Sequence, residues 1–102
     1  MRLEIPLKHK LAIIEFTKAV KKELPDAKIY VFGSLARGDW LIDSDIDVIV
    51  VTECLKNLKP WERTAYLRRL APKNIAFDII VYTQKEFTNR RKYYEPLVEC
   101  EM

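Results

Sequence analysis

The stretch GSLARGDWLIDSDIDVIV, residues 33 to 50, decides how this chain is read. Ile46 to Val51 is apolar at every position but Asp47, the pattern of a central strand covered on both faces. Residues two apart in an extended strand point to the same side. Asp45 and Asp47 would therefore stand next to each other, with Cβ atoms roughly 6 to 7 Å apart. Two like charges at the edge of a core are unfavourable unless neutralised, and the strand itself contains no Arg or Lys. Hard oxygen ligands on a rigid strand suit Mg²⁺, which takes one or two protein carboxylates and completes its shell with water and phosphate oxygens. The plainer alternatives are a strand-entry turn for Asp45 and an edge-facing polar group for Asp47.

Upstream, Lys28 to Phe32 is a short β-branched and aromatic run stopped by Gly33, which predicts a buried strand. Glycine at that point lets a ligand approach the backbone, and Ser34 can cap a single helical turn over Leu35 to Arg37. Gly38 then supplies the left-handed exit. Amides exposed at a helix start make a phosphate site, although a Gly-Ser pair after a strand is ordinarily only a turn. Its weight comes from its spacing to the two aspartates.

Downstream, Ile75 to Tyr82 predicts a third strand, apolar around Asp78. A carboxylate there could complete a two-metal site with Asp45 and Asp47; the alternative is a salt bridge to a helix arginine. Leu7, Leu11, Ile14, Val20 and Leu24 recur at helical spacing, supported by Ile13, Phe16 and Ala19, and Pro25 with Asp26 ends that helix. Pro60 opens a second long helix in which Trp61, Ala65, Leu67 and Leu70 repeat, with Arg63, Arg68 and Arg69 on a solvated face, before Pro72. Thr83 and Glu86 form a capping-box signature for a closing helix, and the tail from Glu95 carries no pattern. The expected fold is α/β (α+β): a small mixed sheet of three or slightly more strands with helices packed against it, in one domain over residues 1–102.

Composition narrows the classes. About half the residues are hydrophobic and a third charged, as in a globular protein, and a net charge of +3 is far below that of a dedicated nucleic-acid binder. No run approaches the roughly 20 apolar residues of a membrane span, and MRLEIPLKHK has no apolar leader core, so a cytoplasmic location is the default expectation. Cys54 and Cys100 read as packing residues, with only His9 available as a histidine ligand. Trp40 reads as packing over the core edge, with stacking on a base as the alternative. Asp39 and Asp43 read as turn residues. Arg90, Arg91 and Lys92 followed by Tyr93 and Tyr94 read as cations complementing a helix end, or as a patch for RNA or an acidic partner.

Taken together, residues 33 to 50 resemble the signature of the DNA polymerase beta-like nucleotidyltransferase superfamily, and more narrowly its minimal nucleotidyltransferase (MNT) group. That pattern is Gly-Ser, ten residues, then Asp-x-Asp, with Ala-Arg-Gly after the serine and Ser before the first aspartate. Gly33, Ser34, Ala36, Arg37, Gly38, Ser44, Asp45 and Asp47 fill every position. The resemblance implies that Asp45, Asp47 and Asp78 are catalytic and hold two Mg²⁺ ions. It also implies that Gly33, Ser34 and Arg37 bind the triphosphate of ATP, though an ion pair to Asp39 or Asp43 accounts for Arg37 almost as well.

Larger relatives carry extra domains that grip the base and the acceptor. Their absence here points to an acceptor supplied by another molecule. The resemblance implies an antitoxin that moves AMP to a tyrosine of a HEPN-type ribonuclease partner, and it leaves room for a homo-oligomer. Two alternatives come from other classes: a binding module that neutralises a partner by contact alone, and a transferase acting on a small molecule or RNA end.

Overall fold

The computed structural model describes residues 3–101. Helix α1 (Leu7–Glu23) leads into strand β1 (Lys28–Phe32), a single helical turn α2 (Ser34–Arg37) and strand β2 (Ile46–Val51). Helix α3 (Pro60–Arg68), strand β3 (Phe77–Tyr82) and helix α4 (Gln84–Arg90) follow, then a 3₁₀ turn (Arg91–Tyr93) and a two-residue strand β4 (Val98–Glu99). The sheet runs β3-β2-β1-β4, with β1 antiparallel to both its neighbours and β2 parallel to β3 across the α3 crossover. β4 falls in the tail that showed no sequence pattern, because two residues are too few for a period to register. The third strand starts at Phe77, not Ile75.

β2 is buried at every position except Asp47, as a strand with cover on both faces must be. On one face Val48 and Val50 join Ile29, Val31 and Ile79 beneath α1 and α3, in a core that includes Phe16, Val20 and Leu67. On the other, Ile49 and Val51 pack with Phe87 of α4, and Tyr30, Ile80, Tyr82 and Tyr94 gather round them. Among the described residues no helix is long and apolar enough to cross a membrane.

α1 turns a different stripe to the sheet from the one its leucines suggest. His9, Ala12, Ile13, Phe16, Thr17 and Val20 are buried, whereas Leu7 is 68% and Leu11 56% exposed. Two apolar stripes coexist on this helix, and a 3.6-residue repeat does not by itself say which one meets the core. α3 departs from expectation in the same way. Trp61 is exposed, while Arg63, expected on the solvated face, is buried. Its guanidinium donates to the carbonyls of Lys56 (3.1 Å) and Leu58 (3.0 Å) and to Glu86 Oε1 (2.8 Å), tying the loop before α3 to α4. Arg68 donates to the Phe77 carbonyl at 3.0 Å, and Arg69 pairs with Glu23. The capping box at α4 forms as read: Thr83 Oγ1 accepts from the Glu86 amide, and Glu86 Oε1 accepts from the Thr83 amide.

Arg63 is thus a buried cation satisfied on several sides, and truncating it strands two loop carbonyls and one carboxylate. Arg63→Ala should cost about 2 to 4 kcal/mol, a drop in Tm of roughly 10 to 20 °C for a chain of this size. The Thr83 amide, with Arg63 beside it, holds the Glu86 carboxyl below its ordinary range. That contribution is present at neutral pH and is lost as pH falls through the lowered range. Thermal melts against pH should show a shallower acid limb in Arg63→Ala than in the wild type.

Candidate active site

The register of three strands builds the site. Phe32 of β1 is the Cα partner of Asp47 on β2, and Asp47 is in turn the partner of Asp78 on β3. These three residues form one row, on the sheet face that also carries Ile49, Ile80 and Tyr82. Adjacent strands lie about 4.8 Å apart, so the fold sets two carboxylates in neighbouring positions of one row. α4 covers the next rows and leaves this one facing an open cleft of about 440 Å³, lined by Gly33, Ser34, Arg37, Asp47 and Asp78 together with Phe32, Tyr93, Tyr94 and Glu95.

Gly33 is required here on two counts. Its φ of 73° lies in the left-handed region, and a Cβ added there would fall 2.2 Å from Asp47 Oδ2. The chain turns into α2 with the Gly33 backbone set directly against the carboxylate of the neighbouring strand. The α2 turn closes through Arg37 N to Gly33 O (3.0 Å) and Gly38 N to Ser34 O (2.9 Å), and Gly38 exits in the left-handed conformation as read.

The electrostatics follow from this crowding. Partial burial, together with the charges of Asp78 and Asp45, pushes the Asp47 carboxyl above its ordinary range, and Arg37 offsets only part of that. Arg37 Nε is engaged by Asp39 Oδ2 at 3.2 Å, both side chains being more than half exposed. Among the described residues, the ion pairs are Arg37 with Asp39, Arg63 with Glu86 and Arg69 with Glu23; none involves Asp45, Asp47 or Asp78. The arginine partner considered for Asp78 is therefore absent. Nor is Asp78 enclosed by its apolar neighbours: it is exposed, because β3 is an edge strand and its pleat turns position 78 outward.

Asp45 stands apart from the other two. It precedes β2 and is exposed, and it lines an adjacent cleft with Lys8, His9, Ile42, Ser44 and Asn74. Five of the six sequence-derived candidates thus share one cleft, while Asp45 flanks it, close enough to act on Asp47 through space. Among the described residues no three His, Cys, Asp or Glu side chains are grouped closely enough to hold a metal on their own. A pair of neighbouring carboxylates without a protein cation nonetheless fits a hard divalent ion whose remaining ligands are water and substrate oxygens.

Sequence reasoning missed two contributors. His9, 2% exposed on α1, donates from Nε2 to the Ser44 carbonyl at 2.8 Å and so pins the residue before Asp45. That bond fixes its tautomer and leaves Nδ1 buried without a partner. The second is Glu95, in the tail without pattern, which lines the cleft beside Tyr93 and Tyr94 of the basic-aromatic stretch. The plainer expectations mostly hold. Trp40 packs against the core edge and donates to the Glu4 carbonyl at 3.2 Å. Cys100 is buried as a packing residue, whereas Cys54 is exposed and donates to Asp26 instead of packing.

Two measurements probe this arrangement in the isolated protein. Both glycines carry positive φ, but a Cβ at Gly38 meets nothing within 4 Å. Gly38→Ala should cost about 1 kcal/mol from backbone strain alone, and Gly33→Ala, which also displaces Asp47, roughly 2 to 4 kcal/mol; denaturant titration separates the two. Because the Asp47 pKa is raised on folding, its ionised form opposes folding at neutral pH, and stability falls as pH rises through the raised range. Asp47→Asn should melt a few degrees higher than the wild type at pH 7 without added metal. The advantage should shrink as pH falls through the raised range and vanish below about pH 4, where the carboxyl is protonated in the unfolded chain as well.

Comparison with known proteins agrees with this geometry. The sequence pattern of the nucleotidyltransferase domain matches residues 13–100. A Methanocaldococcus jannaschii protein provisionally named a protein adenylyltransferase is 29% identical over 77 residues, spanning 70% of this chain and 76% of its own length. The crystal structure of a provisionally assigned nucleotidyltransferase from Sulfolobus solfataricus superposes with a TM-score of 0.73 at 26% identity, over 91% of this chain and 79% of that one. A second crystal structure of a provisionally assigned nucleotidyltransferase gives 0.66 at 26% identity, over 87% of this chain and 97% of that one. With the matched pattern running from α1 through β4 and the Gly-Ser turn seated on the aspartate row, this chain belongs to the nucleotidyltransferase domain family.

Proposed function

We propose that this chain transfers AMP from ATP to a hydroxyl on an acceptor protein, with Asp45, Asp47 and Asp78 holding Mg²⁺ ions and Gly33, Ser34 and Arg37 receiving the triphosphate. The observation that carries the reading is a carboxylate row without an ion-pair partner among the described residues, beside a glycine turn set close against Asp47. A metal–triphosphate complex brings both the cation that the carboxylates lack and the phosphate oxygens that the turn and Arg37 accommodate. The acceptor class is suggested by the adenylyltransferase assignment of the M. jannaschii relative. The antitoxin role, with a tyrosine of a HEPN-type partner as acceptor, follows from the MNT resemblance of residues 33 to 47.

The reaction is an in-line displacement. The acceptor hydroxyl oxygen bonds to the α-phosphorus while the bond from that phosphorus to the bridging oxygen of the β-phosphate breaks, releasing pyrophosphate and a proton. When bound, the metal supplies Lewis-acid polarisation of the phosphoryl group and charge neutralisation for the leaving pyrophosphate. The chain's own residues supply position. β2 and β3 fix Asp47 and Asp78 in neighbouring positions of one row, Gly33 permits close approach to the backbone, and Arg37, still paired to Asp39, lines the cleft to meet phosphate charge. No histidine lines this cleft, and the mechanism uses no histidine base.

The test is incubation with labelled ATP, Mg²⁺ and the product of the neighbouring reading frame. Transfer of label to that protein should fall at least about 100-fold in the Asp45→Asn, Asp47→Asn double variant, a loss typical of removing a main electrostatic element. Label transfer unchanged in the double variant would sink the proposal. Partner neutralisation that survives both substitutions, without any transfer, would favour the contact-only binding module.

A further inference from the structure

The cleft has two kinds of lining, and the reading above uses only one. Besides the carboxylates, Arg37 and the glycine turn, it is lined by three aromatic rings, Phe32, Tyr93 and Tyr94, and by Glu95. A nucleoside triphosphate is polar at one end and flat and aromatic at the other. Resting on the nucleotidyl-transfer reading of the same cleft, we propose that the exposed ring of Tyr93 is the platform on which the nucleobase stacks, with Tyr94 as its fixed support.

Tyr94 is locked from two directions. Its ring meets Phe32 edge-on at 5.0 Å between centroids, and its hydroxyl lies 2.9 Å from that of Tyr82. Phe32 is the residue before Gly33 and the Cα partner of Asp47, so the support for Tyr93 is built onto the same strand position as the phosphate turn. The 3₁₀ turn, closed by Tyr94 N to Arg91 O at 3.0 Å, then sets Tyr93 at a fixed offset from the carboxylate row. Tyr93 itself has no packing role: it is 74% exposed and belongs to neither core cluster. A large apolar ring left in water on the wall of a cleft has area to bury against a ligand. Lys92 Nζ lies over the ring at 5.3 Å from its centroid, and the base takes the opposite face. Stacking of this kind accepts any base, so the platform adds affinity without choosing among nucleotides.

The experiment titrates two ligands in the presence of Mg²⁺ by calorimetry: α,β-methylene-ATP, whose α–β bond resists transfer, and inorganic tripolyphosphate, which has no base. Tyr93→Ala should weaken the nucleotide analogue about tenfold, within the range found when a stacking aromatic is removed, and leave tripolyphosphate unchanged. Tyr93→Phe, which keeps the ring, should bind both within about twofold of the wild type. Equal weakening of both ligands in Tyr93→Ala, or no weakening of either, would overturn the platform while leaving the phosphate end intact. AMP found covalently on Tyr93 by mass spectrometry after incubation with ATP would also overturn it, making that hydroxyl an acceptor. A wild-type protein that binds neither ligand would remove the nucleotidyl-transfer reading itself.

Discussion

Asp47 and Asp78 face the same side of the sheet from partnered positions on β2 and β3, and the partial burial of Asp47 beside that second charge is the constraint around which this end of the molecule is arranged. A carboxylate on a central strand resists leaving water, and a second one a strand away raises the cost. The fold bears that cost because the rest of β2 is buried and apolar on both faces, so the strand is held by Val48, Ile49, Val50 and Val51 whatever position 47 prefers. Gly33 crowds the carboxylate further with backbone, and Arg37, whose charge offsets part of the cost at Asp47, is shared with Asp39. The result is a site whose charge is left for a ligand to complete. Stability elsewhere offsets local strain at a functional position.

Much of this was legible in the sequence for physical reasons. The solid apolar run of β2 could belong only to a strand with cover on both sides, and the single interruption at 47 marked the residue with another task. Pro60 and the Thr83/Glu86 box placed two helix starts, because each removes or satisfies an amide that a helix start leaves unpaired. The Gly-Ser spacing to the aspartates, meaningless in its parts, identified the turn that approaches them.

What was not legible depends on three-dimensional partners. Arg63 looks like any solvated arginine until the Lys56 and Leu58 carbonyls and Glu86 are seen to converge on it. A lone histidine in a lysine-rich helix gives no sign that it will anchor Ser44, thirty-five positions away. Leu7 and Leu11 misled because periodicity reports that a helix is amphipathic without reporting which way it faces. Asp78 was noticed for a reason the structure replaces: the apolar neighbours that made it look misplaced point to alternate faces of an edge strand, and the carboxylate is solvated. Its register with Asp47, invisible in one dimension, is the firmer ground for its role.

The separation of Asp45 from Asp47 adds a final step. Two residues apart in sequence, they open onto different clefts, Asp47 with the glycine turn and the tyrosines, Asp45 with Lys8, Ile42 and Asn74. An in-line displacement needs its attacking and leaving groups on opposite sides of the phosphorus. On the proposed reading, Asp47 would face the nucleotide in the first cleft, and the second, which Asp45 lines, would be left to the acceptor. Ile42, which lines the second cleft, and Leu41 before it are each more than two-thirds exposed, an apolar rim that suits a protein surface better than a phosphate backbone. His9, by holding the Ser44 carbonyl, fixes the backbone just before Asp45, so one hydrogen bond from α1 steadies the residue that opens onto the second cleft.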